Sequence, residues 1–438
     1  MELERILSKY EYADVRIERS YESSVRLTNE EVKHASGVSE GIGVRVLKNG
    51  SWGFASNNTT RGTEGTINEL LKKAEKLANL ERGSIKFESP KPEKRKVKER
   101  IETIEINEQV KTLLETTKEM KSKNIASRII SCTDSRIIKE FHSSVGTEII
   151  QETGYTYLSC SCIARSGEQI QRGSSRSWSK GGFKRINLDV AIEAKQKALR
   201  LLNAASSPKG RFTTVFDPEM TGVFSHEAVG HACEGDSVLD RESILANKIG
   251  QRIGNELVSI VDDPNALDFG HYKYDDEGIR AKRTTLVQNG VLKDFMSSME
   301  TSYKLKLEPN GHARAQGFEA VPIVRMSNTY FQQGKTSVED VFEVKNGIYL
   351  KGMRGGSVDI FSGGFMFKAE EAYEIKNGEI GKIMRDTTIS GNILQTMLDV
   401  ECVGKDFGTS PGICGKFSQQ VPVSDGGPHI RVKNVAIG

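Results

Sequence analysis

Asn-Gly dipeptides stand between runs of alternating apolar residues at Asn49-Gly50, Asn289-Gly290, Asn346-Gly347 and Asn377-Gly378. The tightest hairpin turn needs two consecutive residues with left-handed backbone, and Asn-Gly adopts that geometry at least cost. Each dipeptide therefore predicts two antiparallel strands joined by a two-residue turn. Three of these four lie beyond residue 210, so the second half of the chain reads as mainly antiparallel sheet. Glycine usage agrees: 15 of 42 fall in residues 1–210 and 27 in 211–438.

At 438 residues the chain has room for two or three domains of ~150 residues. It opens MELERILSKY, with charges every few residues and no apolar signal core. No run approaches ~20 apolar residues, so no membrane helix and no membrane partner are expected. A net charge of +3 gives no basis for a nucleic-acid partner. The six cysteines are Cys132, Cys160, Cys162, Cys233, Cys402 and Cys414. They are dispersed, so a reducing cytoplasm is expected rather than a disulfide scaffold.

The expected fold is α+β, with an N-terminal mixed α/β region before a mainly antiparallel C-terminal domain that carries a zinc-binding helix. Residues 1–88 read as an α+β subdomain. Leu3, Ile6, Leu7 and Tyr10 mark a helix, Val44–Leu47 and Trp52–Ala55 a hairpin, and Ile67–Leu80 a second helix. Residues 89–104 read as a charged linker, since SPKPEKRKVKER joins two prolines to a dense charge run. Residues 105–207 read as a second α+β subdomain, with a helix around Glu108–Lys121 and a strand over Thr156–Ala164. Cys160 and Cys162 share one face of that strand and read as packing residues. Asn187 is placed to cap a helix over Leu188–Ala204. The C-terminal domain is expected over 211–438.

One stretch carries chemistry. Asp217-Pro218 opens a helix: an acceptor at the cap, then a ring preset for the first turn. His226, Glu227 and His231 follow as H-E-x-x-x-H. The zinc pattern H-E-x-x-H puts both histidines on one helical face, with the glutamate as general base. Here the spacing is one residue longer, and on an ideal α-helix i to i+5 leaves the rings ~140° apart. A π-bulge or a break between Ala228 and His231 would bring them together, and Gly230 is where distortion costs least. A zinc hydrolase needs a third protein ligand. Spacing leaves Cys233, Asp236, Glu242, Cys402 and Cys414 as candidates. The second N–H of an imidazole ligand needs an acceptor, for which Glu234 and Asp236 are both at hand.

These segments resemble the TldD/PmbA family of metallopeptidases. The resemblance rests on His226-Glu227-Ala-Val-Gly-His231 with Cys233-Glu234-Gly235-Asp236, on Val261-Asp262-Asp263 and on Tyr274-Asp275-Asp276-Glu277-Gly278. It continues in Arg325-Met326-Ser327-Asn328-Thr329-Tyr330, Gly355-Gly356-Ser357-Val358-Asp359-Ile360 and Cys414-Gly415-Lys416, and near the start in Gly41-Ile42-Gly43-Val44-Arg45-Val46. The His pair marks the TldD-type, metal-bearing subunit. The resemblance implies zinc held by His226, His231 and Cys414, with Glu227 catalytic. It implies peptides or unfolded polypeptides as substrate, and a homodimer or a heterodimer with a PmbA-type paralogue. Cys233 departs from the family pattern, which expects a larger apolar residue there. The alternative is a non-catalytic zinc-binding subunit that regulates or binds a partner.

Overall fold

The computed structural model describes every residue except 1, 60–62, 81, 100, 101, 103 and 267. Helix α1 (Glu2–Leu7) leads into β1 (Tyr12–Thr28), β2 (Glu31–Lys48) and β3 (Ser51–Asn57). Asn49 and Gly50 take φ of 52° and 72° and join β2 to β3, as the dipeptide predicts. Helix α2 (Thr63–Ala78) lays Ile67, Leu70, Leu71 and Ala74 on Val15, Ile42, Val44 and Val46 of the sheet.

The chain continues through β4 (Lys94–Lys98), α3 (Ile106–Glu119), β5 (Ile125–Ser143), β6 (Glu148–Ser166), β7 (Gln169–Ser179) and α4 (Val190–Leu202). Strand β1 pairs antiparallel with β5 from Asp14 to Thr28. Strands from 1–88 and from 105–207 therefore share one seven-stranded sheet. The segment expected as a linker contributes β4, parallel to Glu148–Glu152 of β6. Its charges suit that place, because a charged edge resists pairing with other chains. Leu113 of α3 and Ala191, Ala194 and Ala198 of α4 pack on Leu27, Ile130, Leu158, Cys160 and Cys162. Asn187 does not cap α4; its Oδ1 accepts the N–H of Asp189, the residue at the cap position two places later.

The first two units also press against the C-terminal unit. Phe269 sits among Tyr155, Tyr157 and Trp178, with ring centroids 4.9, 5.5 and 5.6 Å away. Arg45, nearly fully buried, bridges Asp14 at 2.6 Å and Glu277 at 2.8 Å.

The C-terminal unit holds an eight-stranded and a six-stranded sheet. Most pairings are antiparallel, but Gly210–Phe216 runs parallel to Asn346–Asp359, and Asn328–Phe331 parallel to Gln419–Gly427. Asn289-Gly290 and Asn377-Gly378 turn hairpins with positive φ at both residues. Asn346-Gly347 does not. It opens the strand Asn346–Asp359, because the residues before it form a short helix, Val338–Val341, and no strand enters the turn. Phe216, Met220, Phe224, Ala228 and Val229 are buried in the main core.

Candidate metal centre

Helix α5 (Pro218–Val223) starts as its sequence dictates. The Asp217 carboxylate accepts the Met220 N–H at 2.8 Å, and Pro218 fills the first turn. The regular α-helix then stops at Val223, earlier than the distortion expected between Ala228 and His231. Phe224–Gly230 winds as a π turn, and His231–Cys233 tightens into a 3-10 turn. The His231 N–H donates to the His226 carbonyl, five residues back. That hydrogen bond defines the wider winding and stacks residue i+5 over residue i. The two imidazoles thus meet, with ring centroids 5.3 Å apart and planes at 89°. Ser225 Oγ donates to the Thr221 carbonyl at 2.9 Å, a back-bond that loosens helical winding.

The distortion is spread over seven residues, and Gly230 itself has an ordinary φ of −57°. Glycine is needed there for space, since a Cβ would meet Met326 Sδ at 2.0 Å. At Gly222 the obstacle is backbone rather than side chain: a Cβ would meet the nitrogen of Gly426 at 2.4 Å. The helical segment is therefore pressed directly onto the strand Gln419–Gly427.

That strand pairs with Gly408–Lys416, the edge strand of the six-stranded sheet, and sets Cys414 opposite Val421. Cys414 Sγ lies 3.5 Å from His231 Nε2 across 183 residues of sequence. One donor atom each from His226, His231 and Cys414 lie within 4.8 Å of one another. Tetrahedral zinc, with bonds of ~2.0–2.1 Å to nitrogen and ~2.3 Å to sulfur, spaces its donors about 3.5 Å apart. Two imidazoles and a thiolate form a donor set that zinc accepts, with a fourth position left for water.

The local charges suit a ligated sulfur. Burial works against a Cys414 thiolate, but the neighbouring His226 and His231 more than offset it and bring its pKa down to about 5. Burial likewise opposes a charged His226, yet Cys414 and Glu227 raise it to about 9. Glu227 stands beside the group, its Oε2 3.8 Å from His231 Nε2 and a third of its side chain exposed.

Other sequence candidates lie elsewhere. Cys233 is buried in the main core, and burial pushes its thiol well up. Cys402 packs in a separate cluster with Val215, Val341 and Ile375. Glu242 is exposed.

Comparison with known proteins covers most of the chain. A family model described as the PmbA/TldA metallopeptidase C-terminal domain matches residues 209–438. Models for domain 1 and for the central domain match residues 13–78 and 99–202. This chain belongs to the PmbA/TldD metallopeptidase family. A metalloprotease of Methanothermobacter thermautotrophicus is 40% identical over 99% of this chain and 96% of that protein. A zinc metalloprotease TldD homolog of Saccharolobus solfataricus is 34% identical over 98% of this chain and 96% of its own length. The crystal structure of TldE from Thermococcus kodakarensis shares the fold, with a TM-score of 0.79 at 20% identity and full coverage of both chains.

In this PmbA/TldD chain the structure also picks between the two acceptors left open by sequence. His231 Nδ1 lies 3.0 Å from Glu234 Oε2, and Asp236 turns instead to Lys416 at 2.7 Å. Lys416 itself escaped sequence reasoning as a functional residue. It stands two residues beyond Cys414 on the same strand, and its Nζ reaches Glu234 at 3.1 Å. The i, i+2 alternation of a strand was the signal that could have found it.

Proposed function

We propose that this chain is a zinc-dependent peptidase that hydrolyses peptide bonds in peptides or unfolded polypeptides. The observation that carries this reading is the meeting of His226, His231 and Cys414 with Glu227 alongside. Zinc held by those three residues would lower the pKa of a bound water toward ~7 and polarise the scissile carbonyl. Glu227 takes the proton of the attacking water and returns it to the leaving amine. Glu234 fixes the ring of His231 through Nδ1, which keeps Nε2 directed at the centre.

The strand bearing Cys414 is a sheet edge. An extended peptide lies along it through main-chain hydrogen bonds, a mode that reads little side-chain identity and suits unfolded substrates. The active assembly is a homodimer or a heterodimer with a PmbA-type paralogue, a reading supported by the fold shared with TldE. All six cysteines are free, which favours a reducing, cytoplasmic setting. No helix among the described residues is long and apolar enough to cross a membrane.

The test is metal analysis of the purified chain, followed by cleavage of an unfolded protein with and without a co-expressed paralogue. About one zinc per chain and cleavage that stops on chelation are expected. A zinc-loaded chain that cleaves nothing under either condition contradicts the proposal.

A further inference from the structure

A pocket of about 120 Å³ lies where the N-terminal sheet meets the C-terminal unit. Lys139, Lys180, Tyr272, Arg314 and Pro422 are among its walls. Arg314 is only 9% exposed. Its Nη1 donates to the Met326 carbonyl at 2.6 Å and its Nη2 to the Pro422 carbonyl at 2.8 Å. The guanidinium lies over the ring of Tyr272, 4.8 Å from its centroid. Among the described residues, no carboxylate pairs with it.

The other charges of the pocket are spent. Lys139 holds Asp276 at 2.9 Å, and Lys180 holds Glu99 at 2.9 Å. Asp276 also accepts the Ala315 N–H at 2.8 Å. Asp275 accepts backbone N–H groups from Glu277, Ile279 and Ala313, and burial drives it well above the usual carboxylate range, toward its neutral form. Arg325, fully buried, adds a second guanidinium without a carboxylate among the described residues. It donates to the carbonyls of Cys414 at 2.5 Å and Gln419 at 3.2 Å. Burial and the positive charge of Arg325 act against a charged Arg314, while Tyr272, Asp276 and Asp262 act in its favour without pairing with it. Carbonyl dipoles solvate a guanidinium but do not neutralise it, and a buried charge without a direct ion-pair partner is costly. Guanidinium has five N–H donors in a planar fork suited to carboxylate and phosphate.

We propose that this pocket binds a small oxyanion, a carboxylate or a phosphate, through Arg314, and that the bound anion ties the N-terminal sheet to the C-terminal unit. The site is separate from the metal centre and does not depend on the peptidase reading.

The test is thermal melting of the full zinc-loaded chain, titrated with sodium acetate or sodium phosphate at an ionic strength held constant with chloride. A saturable rise of about 2 °C with either anion is expected, and the anion that produces it identifies the class. Arg314→Gln removes the charge. Thr153→Phe keeps every charge and fills the pocket from its partly exposed wall, so it serves if Arg314→Gln folds poorly. Loss of the saturable rise in either folded variant supports the site. A wild-type chain with no saturable response, or a response that survives in both variants, overturns it.

Discussion

Lys416 Nζ lies 3.1 Å from Glu234 Oε2, the same oxygen that stands 3.0 Å from His231 Nδ1. The strand that delivers the sulfur of Cys414 thus also neutralises the carboxylate that orients His231. Glu234 is 1% exposed, and burial alone would raise its pKa. His231 and Lys416 reverse that and hold it below the ordinary carboxylate value.

Lys416→Met leaves this carboxylate with one fewer counter-charge, and Glu234→Gln removes the charge that fixes the ring. Loss of an outer partner of a metal ligand typically costs 10–100-fold in affinity. Both variants should therefore bind zinc about 10–100-fold more weakly, read by competition with a chromophoric chelator. Wild-type affinity in both would remove Glu234 and Lys416 from the account.

Cys414→Ser should lose most of its zinc, because a hydroxyl is a far poorer ligand than a thiolate. Cys233→Ser should keep its zinc, since Cys233 is buried in the main core. Elemental analysis of the two purified variants separates them. The reverse result would assign the sulfur ligand to Cys233.

Two glycines under the site should respond differently to a methyl group. At Gly222 the Cβ would meet backbone of Gly426, which cannot yield without shifting a strand. At Gly230 it would meet the side chain of Met326, which can change rotamer. Gly222→Ala should cost about 1–3 kcal/mol in urea unfolding, and Gly230→Ala less. Equal losses would contradict the close approach of helix and strand.

Much of this arrangement was legible in the sequence, and the losses have physical causes. Asn49-Gly50, Asn289-Gly290 and Asn377-Gly378 fall in hairpin turns because turn chemistry is local. Asn346-Gly347 misled because the same dipeptide also fits the start of a strand after a helix. The longer H-E-x-x-x-H spacing called for a distorted helix, and a π turn is found there. Its extent was not legible, because the segment packs on residues far along the chain, Gly230 against Met326 and Gly222 against Gly426. Cys414 could be named through resemblance but not by spacing, since its approach to His231 comes from sheet pairing across 183 residues. The shared sheet of the first two units was hidden for the same reason: β1–β5 pairing is long-range.

Asp217 gives stability a pH dependence of known sign. Burial, with Glu219 nearby, raises its pKa from 3.8 to about 7, against the pull of hydrogen bonds from Met220 and Gly352. Between those two values the folded chain binds the proton and the unfolded chain does not. Stability from this group is therefore present below pH ~4 and lost as pH rises toward ~7. Asp217→Asn keeps the cap and removes the titration, so urea unfolding between pH 4 and 8 should show a shallower decline. An unchanged slope would contradict the assignment.

The most direct test is the Glu227→Ala variant, measured for zinc content and for cleavage of an unfolded protein in one preparation. About one zinc per chain is expected, as in the wild type, with cleavage reduced at least 10²-fold. Wild-type cleavage by zinc-loaded Glu227→Ala would contradict it.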